Sequence, residues 1–176
     1  MMKKIWLFIS KHRTLCILLI IFSLFKFVYS PTIIVGESMQ PTYFENDIVF
    51  GNRFVNKNKL RQGDVVVFSN RATLNSNFIK RIVGCPGDTV QIKNKRLYIN
   101  NIICQDSHVG EINESGIANK KIILNDDEYF VLGDNHDNSM DSRSFGAIKA
   151  KDIHYLILDS HISYTKYKQV TGGIRP

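Results

Sequence analysis

The hydrophobic pattern of the chain changes character once. Residues 14–25 (TLCILLIIFSLF) form an apolar run with no charge and no helix breaker, and after Lys26 the run resumes with Phe27, Val28 and Tyr29. Beyond Pro31 the pattern breaks into short apolar runs separated by turn residues. The first two are 47–50 (DIVF) and 64–68 (DVVVF), the latter introduced by Gln62-Gly63. Segments 78–83, 89–92 and 97–99 extend the series, and 122–124, 129–132 and 155–158 complete it. Runs of this length, bounded by Gly, Asn, Asp and Pro, predict β-strands. Asn100-Asn101, followed by Ile102 and Ile103, predicts a tight hairpin turn. No stretch after the first apolar run sustains a helical period. Segment 104–120 is polar and uncommitted, and from His161 the chain reads as a tail. The expectation is a mainly β domain on one N-terminal helix.

Length and composition narrow this picture. At 176 residues, 44% apolar and 22% charged, the chain suits one folded domain plus an anchor or tail and excludes a disordered chain. Three cysteines without paired spacing exclude a disulfide-dense scaffold and a zinc ribbon. The net charge of +7 is unevenly placed: Lys3, Lys4, Lys11, Arg13 and Lys26 give +5 in residues 1–30, which hold no acid. The remaining residues carry 18 basic and 16 acidic side chains (23 − 5 and 16 − 0), a balance of +2. Basic charge flanking an apolar span is a membrane pattern rather than a nucleic-acid pattern, and no helix-turn-helix pattern accompanies it. It places residues 1–13 in the cytosol, a transmembrane anchor over 14–30, and the body at 31–160 outside, before the tail at 161–176. A helix over 14–30 is about 25 Å long at ~1.5 Å per residue, a little short of a ~30 Å hydrocarbon core. A removable signal peptide is the competing reading, and Pro31 after the candidate cut at Ser30 argues against it.

Three segments could carry chemistry. Residues 36–42 (GESMQPT) set Ser38 in a turn bounded by Gly36 and Pro41; alone, this is a surface turn serine. Residues 78–83 (FIKRIV) alternate, so Phe78, Lys80 and Ile82 share one strand face while Ile79, Arg81 and Val83 share the other. A lysine between large apolar neighbours can lose its charge and act as a base, or it can snorkel from an edge strand; the hexapeptide leaves both open. Residues 133–146 (GDNHDNSMDSRSFG) are dense in side chains that hydrogen-bond local backbone, and predict a structured loop. The five histidines are scattered, without metal-ligand spacing, and read as solvated surface residues. The acidic loop lacks the Gly and Glu of a calcium-binding hand. No phosphate-cradling Gly-rich loop is present, and no cofactor is expected.

Together these segments resemble the type I signal peptidase family, membrane-anchored serine proteases that use a Ser–Lys dyad. Segment 36–42 resembles the family's serine box, 78–88 its lysine box, and 133–146 its late box, while 63–68 (GDVVVF) fits a further strand of the family. The likeness runs from about residue 14 to 158. It implies an antiparallel β-sheet catalytic domain, with exported preproteins cut after a small-x-small motif as substrates. It makes Ser38 the nucleophile, Lys80 the general base and Ser139 a hydrogen-bonding partner that orients the lysine. Asp141 and Arg143, with Arg81 and Asp134, would brace the site by charge pairing. Ile34, Gly36, Met39, Phe78 and Ile79 would line the substrate pocket. Gly36 stands where some members carry a hydroxyl residue, so an oxyanion hole would rest on backbone N–H groups such as that of Ser38. His136 stands where many members carry arginine and reads as a surface change. Cys85 and Cys104 could pair or stay as thiols. A conjugative-transfer peptidase acting on a pilin-like subunit is the alternative within the family, and a non-enzymatic, membrane-tethered β module the alternative outside it. Partners are preproteins and membrane lipid, with no nucleic acid.

Overall fold

The computed structural model describes residues 12–70 and 77–162, the last four of these by their backbone alone. Helix α1 (Arg13–Val28) carries the apolar run and buries none of its side chains; Leu18, Phe22 and Phe27 are each about 60% exposed. Its 16 residues span about 24 Å at ~1.5 Å per residue. Among the described residues no helix is long and apolar enough to cross a membrane. The helix expected over 14–30 ends two residues early. Pro31 disfavours the helical conformation at Ser30, and the chain turns extended at Tyr29 to enter strand β1 (Tyr29–Ile33). Strand β1 pairs antiparallel with β2 (Ile48–Asn52), Tyr29 opposite Asn52 and Ile33 opposite Ile48. It is an outer strand of its sheet, where a proline is tolerated because one edge needs no donors.

The remaining strands are β3 (Val65–Ser69), β4 (Asn77–Gly84), β5 (Thr89–Lys93), β6 (Arg96–Ile99), β7 (Ile102–Ile103), β8 (Ile122–Ile123), β9 (Glu128–Leu132), β10 (Ile148–Lys149) and β11 (Ile153–Ile162). They form a seven-stranded sheet, β1-β2-β11-β3-β4-β9-β10, and a four-stranded sheet, β7-β6-β5-β8, with antiparallel pairing throughout. Asn100 and Asn101 both take positive φ, 52° and 66°, as a two-residue hairpin turn requires. The expected tail at His161 is overtaken by β11, which runs to Ile162.

The central strands explain the unbroken apolar runs. On β3, Val66 and Phe68 join a core with Leu60, Ile82, Tyr129 and Val131, while Val65 and Val67 join another with Ile34, Met39, Tyr43 and Val49. On β9, Phe130 and Leu132 face a third core with Val83, Val90 and Ile112. Both faces of these strands are buried, so alternation vanishes from their sequences. Each fully buried aliphatic side chain contributes about 1.5–3 kcal/mol. Segment 104–120 is part of the packing: Ile112 and Ala118 are fully buried. The three cysteines are free thiols.

Candidate active site

Three segments converge at the middle of the larger sheet. Ser38 lies in the loop between β1 and β2, which leaves Ile34 through Gly36 at a φ of +86°, a conformation that favours glycine. Lys80 is on β4, opposite Val66 of β3, and is 3% exposed. The loop after β9 closes over both. Its Asn135 backbone N–H donates to the Ser38 carbonyl at 3.0 Å. Gly133 permits this approach: a Cβ there would lie 2.4 Å from Ser38 O and 2.3 Å from Ser139 Oγ.

Lys80 Nζ donates to Ser38 Oγ at 2.6 Å and to the Ile79 carbonyl at 3.0 Å, and sits 5.9 Å from the Phe78 ring centroid. Burial lowers its pKa to about 8, against the opposing pull of the Asp141 and Asp134 carboxylates. A lysine in this state is a usable base near neutral pH, and the snorkelling alternative is excluded by its burial.

Arg81 points to the other face. Burial opposes its charge, but its bonds to Asp134 prevail and its pKa is raised. Nε donates to Oδ1 at 2.9 Å and Nη2 to Oδ2 at 2.7 Å, a bidentate pair. Nη1 reaches the Gly63 carbonyl at 2.8 Å, and Thr42 Oγ1 donates to Asp134. Asp141, fully buried, caps helix α2 (Ser142–Phe145) by accepting from the Arg143 backbone N–H. The same carboxylate holds the Arg143 guanidinium at 2.8 and 2.9 Å and accepts from Gly133 N–H at 3.2 Å. Arg143 in turn donates to the carbonyls of Glu114 and His136. Both expected pairings, Arg81–Asp134 and Asp141–Arg143, are formed.

Three expectations are corrected. Ser139 lies against Gly133, but its buried Oγ has no hydrogen-bond partner, so the expected lysine-orienting bond is not made. Met39 is 1% exposed and belongs to the core with Tyr43 and Val49; the turn that presents Ser38 sends its neighbour the opposite way. His136 is not a solvated surface residue. It is half-buried with both ring nitrogens out of water, and burial, reinforced by Arg143, lowers its pKa.

A groove of about 800 Å³ runs past the dyad, lined by Ile34, Gly36, Ser38, Phe78, Ile79 and Lys80. Val35, 81% exposed, and Met140, 55% exposed, also line it. Val35 is legible in the apolar triplet 33–35 beside Ser38, one face of which could line a groove or meet lipid, whereas nothing in the sequence singles out Met140. Among the described residues no group of His, Cys, Asp and Glu is arranged to hold a metal ion.

Residues 7–156 match the family described as signal peptidase, peptidase S26. The chain is 37% identical over 147 residues to signal peptidase I P of Bacillus subtilis subsp. natto, covering 77% of this chain and 78% of that protein. It is 34% identical over 151 residues to signal peptidase IB of Staphylococcus aureus strain Mu50, covering 76% and 78%. A solved signal peptidase I from Enterococcus faecalis V583 is similar at 25% identity and a TM-score of 0.48, covering 57% of this chain and 97% of that one. The match spans most of the chain and all three segments of the site, and the chain belongs to the signal peptidase family, peptidase S26.

Proposed function

We propose that the chain is a serine endopeptidase that removes signal peptides from exported preproteins, cutting after a small-x-small motif. The observation that carries the mechanism is the 2.6 Å contact between Lys80 Nζ and Ser38 Oγ. Neutral Lys80 takes the Ser38 hydroxyl proton as Oγ attacks the scissile carbonyl carbon. The tetrahedral oxyanion collapses, the C–N bond breaks, and the Lys80 ammonium gives its proton to the leaving amine. Water then adds to the acyl ester, its proton passing to Lys80. The second tetrahedral intermediate collapses, the ester C–O bond breaks, and the Lys80 ammonium returns a proton to Ser38 Oγ. Base catalysis of this kind contributes roughly 10²–10⁴-fold. Arg81, Asp134, Asp141 and Arg143 hold the loops that present the pair. Ile34, Phe78 and Ile79 leave room in the groove for small substrate side chains.

Helix α1, apolar and exposed over its length, serves in this reading as part of a membrane anchor, with the basic N-terminus cytosolic and the catalytic domain outside. Substrate and enzyme then share one surface, which raises their effective concentration.

The test uses the full chain in detergent micelles with a labelled preprotein. Ser38→Ala, Lys80→Ala and Lys80→Arg each reduce cleavage to background, and the product's new N-terminus follows a small-x-small motif. Parental activity in any of these variants overturns the dyad.

A further inference from the structure

The loop that closes over the dyad does more than cover it. The Asn135 side-chain amide donates to the Glu37 carbonyl at 3.2 Å, while its backbone N–H donates to the Ser38 carbonyl at 3.0 Å. One residue thus holds two consecutive carbonyls of the nucleophile turn. Asn138 adds a third tie, donating from Nδ2 to the Glu37 carboxylate at 3.1 Å. The Glu37–Ser38 peptide is trans, so the Glu37 C=O and the Ser38 N–H lie in one plane and point in opposite directions. Fixing the carbonyl therefore fixes the N–H. That N–H donates to none of the described residues. The next carbonyl, that of Ser38, packs so closely on Gly133 that no side chain could stand there.

We propose that Asn135 is a positioning residue for the transition state: its side-chain amide orients the Glu37–Ser38 peptide so that the Ser38 N–H is aimed at the developing oxyanion. This rests on the acyl-transfer reading above. Outright loss of an oxyanion donor reduces kcat by roughly 10²–10³-fold. A residue that only aims such a donor should have a smaller effect, on the order of 10-fold. Asn138, which grips the Glu37 side chain rather than the peptide itself, should matter less than Asn135.

The test compares Asn135→Asp, which keeps the shape but loses the donor, and Asn135→Ala, with the parent and Ser38→Ala. Every variant retains the residue 135 backbone bond to Ser38, so the side-chain tie alone is removed. The expected result is kcat lowered about 10-fold and KM within about 2-fold in both variants, with an unshifted kinetic pKa in Asn135→Ala, which adds no charge near Lys80. A peptide aldehyde supplies the second readout. Ser38 Oγ adds to its carbonyl carbon, the hydroxyl proton passes to Lys80, and the former carbonyl oxygen occupies the oxyanion position. Its affinity should fall by the same factor as kcat/KM, while that of the product peptide stays unchanged. Unchanged kcat, equal losses for aldehyde and product peptide, a shifted kinetic pKa in Asn135→Ala, or failure of both variants to fold each overturns the assignment. Parental cleavage by Ser38→Ala would instead overturn the acyl-transfer reading itself.

Discussion

Lys80 and Arg81 are consecutive residues on one strand, both cationic side chains buried to within a few per cent, and they are treated in opposite ways. Arg81 meets a carboxylate at two points and keeps its charge. Lys80 meets a hydroxyl and a carbonyl, with no carboxylate in hydrogen-bond contact, and burial lowers its pKa to about 8. Strand alternation makes the difference possible, since neighbours on β4 face different surroundings 3.3 Å apart along the chain, roughly one strand rise. Burial alone does not make a base. Burial without a bonded counter-charge does.

The harshest way to break the contrast is to place the permanently charged side chain at both positions. Lys80→Arg should lose at least about 10³-fold in kcat/KM at every pH from 6 to 10, because guanidinium does not deprotonate in that range. Asp134→Asn attacks the other side, leaving Arg81 buried and half-paired. It should destabilise the fold by about 3 kcal/mol, read as a lowered denaturant midpoint with unchanged slope. Because Asp134 also raises the Lys80 pKa, the acid limb of the activity profile should move below about pH 8 in the same variant.

A gentler consequence concerns stability. Lys80 releases its proton near pH 8 in the folded chain and at its ordinary 10.5 when unfolded. Between those values the unfolded chain binds more protons, so this group makes stability rise with pH. Below pH 8 its burial penalty is fully present, about 3 kcal/mol. Lys80→Met should remove that segment of the stability–pH curve, measured by urea unfolding from pH 7 to 10.5. The smallest effect belongs to an exposed pair. Lys149 and Asp127 approach to 3.3 Å with side chains about half exposed, and Lys149→Ala should shift stability by under about 0.5 kcal/mol.

Local chemistry made much of this legible. Turn residues flanking apolar runs marked nine of the strands, and the resemblance brought Ser38, Lys80 and the two carboxylate–arginine pairs into one site. What was missed depended on partners distant in sequence. Strand β1 was hidden because Tyr29 and its neighbours continue the apolar run of the helix, and only pairing with β2 distinguishes them. Met39 and Ser38 are adjacent in the chain yet face core and groove, which a turn of unknown geometry does not reveal. His136 looks like a surface substitution in the sequence, yet its ring nitrogens are buried beside Arg143, itself held there by Asp141. The two-residue β10 carries too little pattern to be read apart from its pairing with β9.

The junction at Val28 has mechanical meaning. The last helical residue is followed at once by the first paired one, and the Arg53 N–H locks the joint by donating to the Val28 carbonyl while Phe54 packs on Phe27. No slack separates shaft from platform. Inserting one residue into such a helix adds only ~1.5 Å of length but about 100° of rotation. Phase, rather than reach, is therefore the sensitive variable: the groove's heading about the helix axis is set by counting residues through Val28.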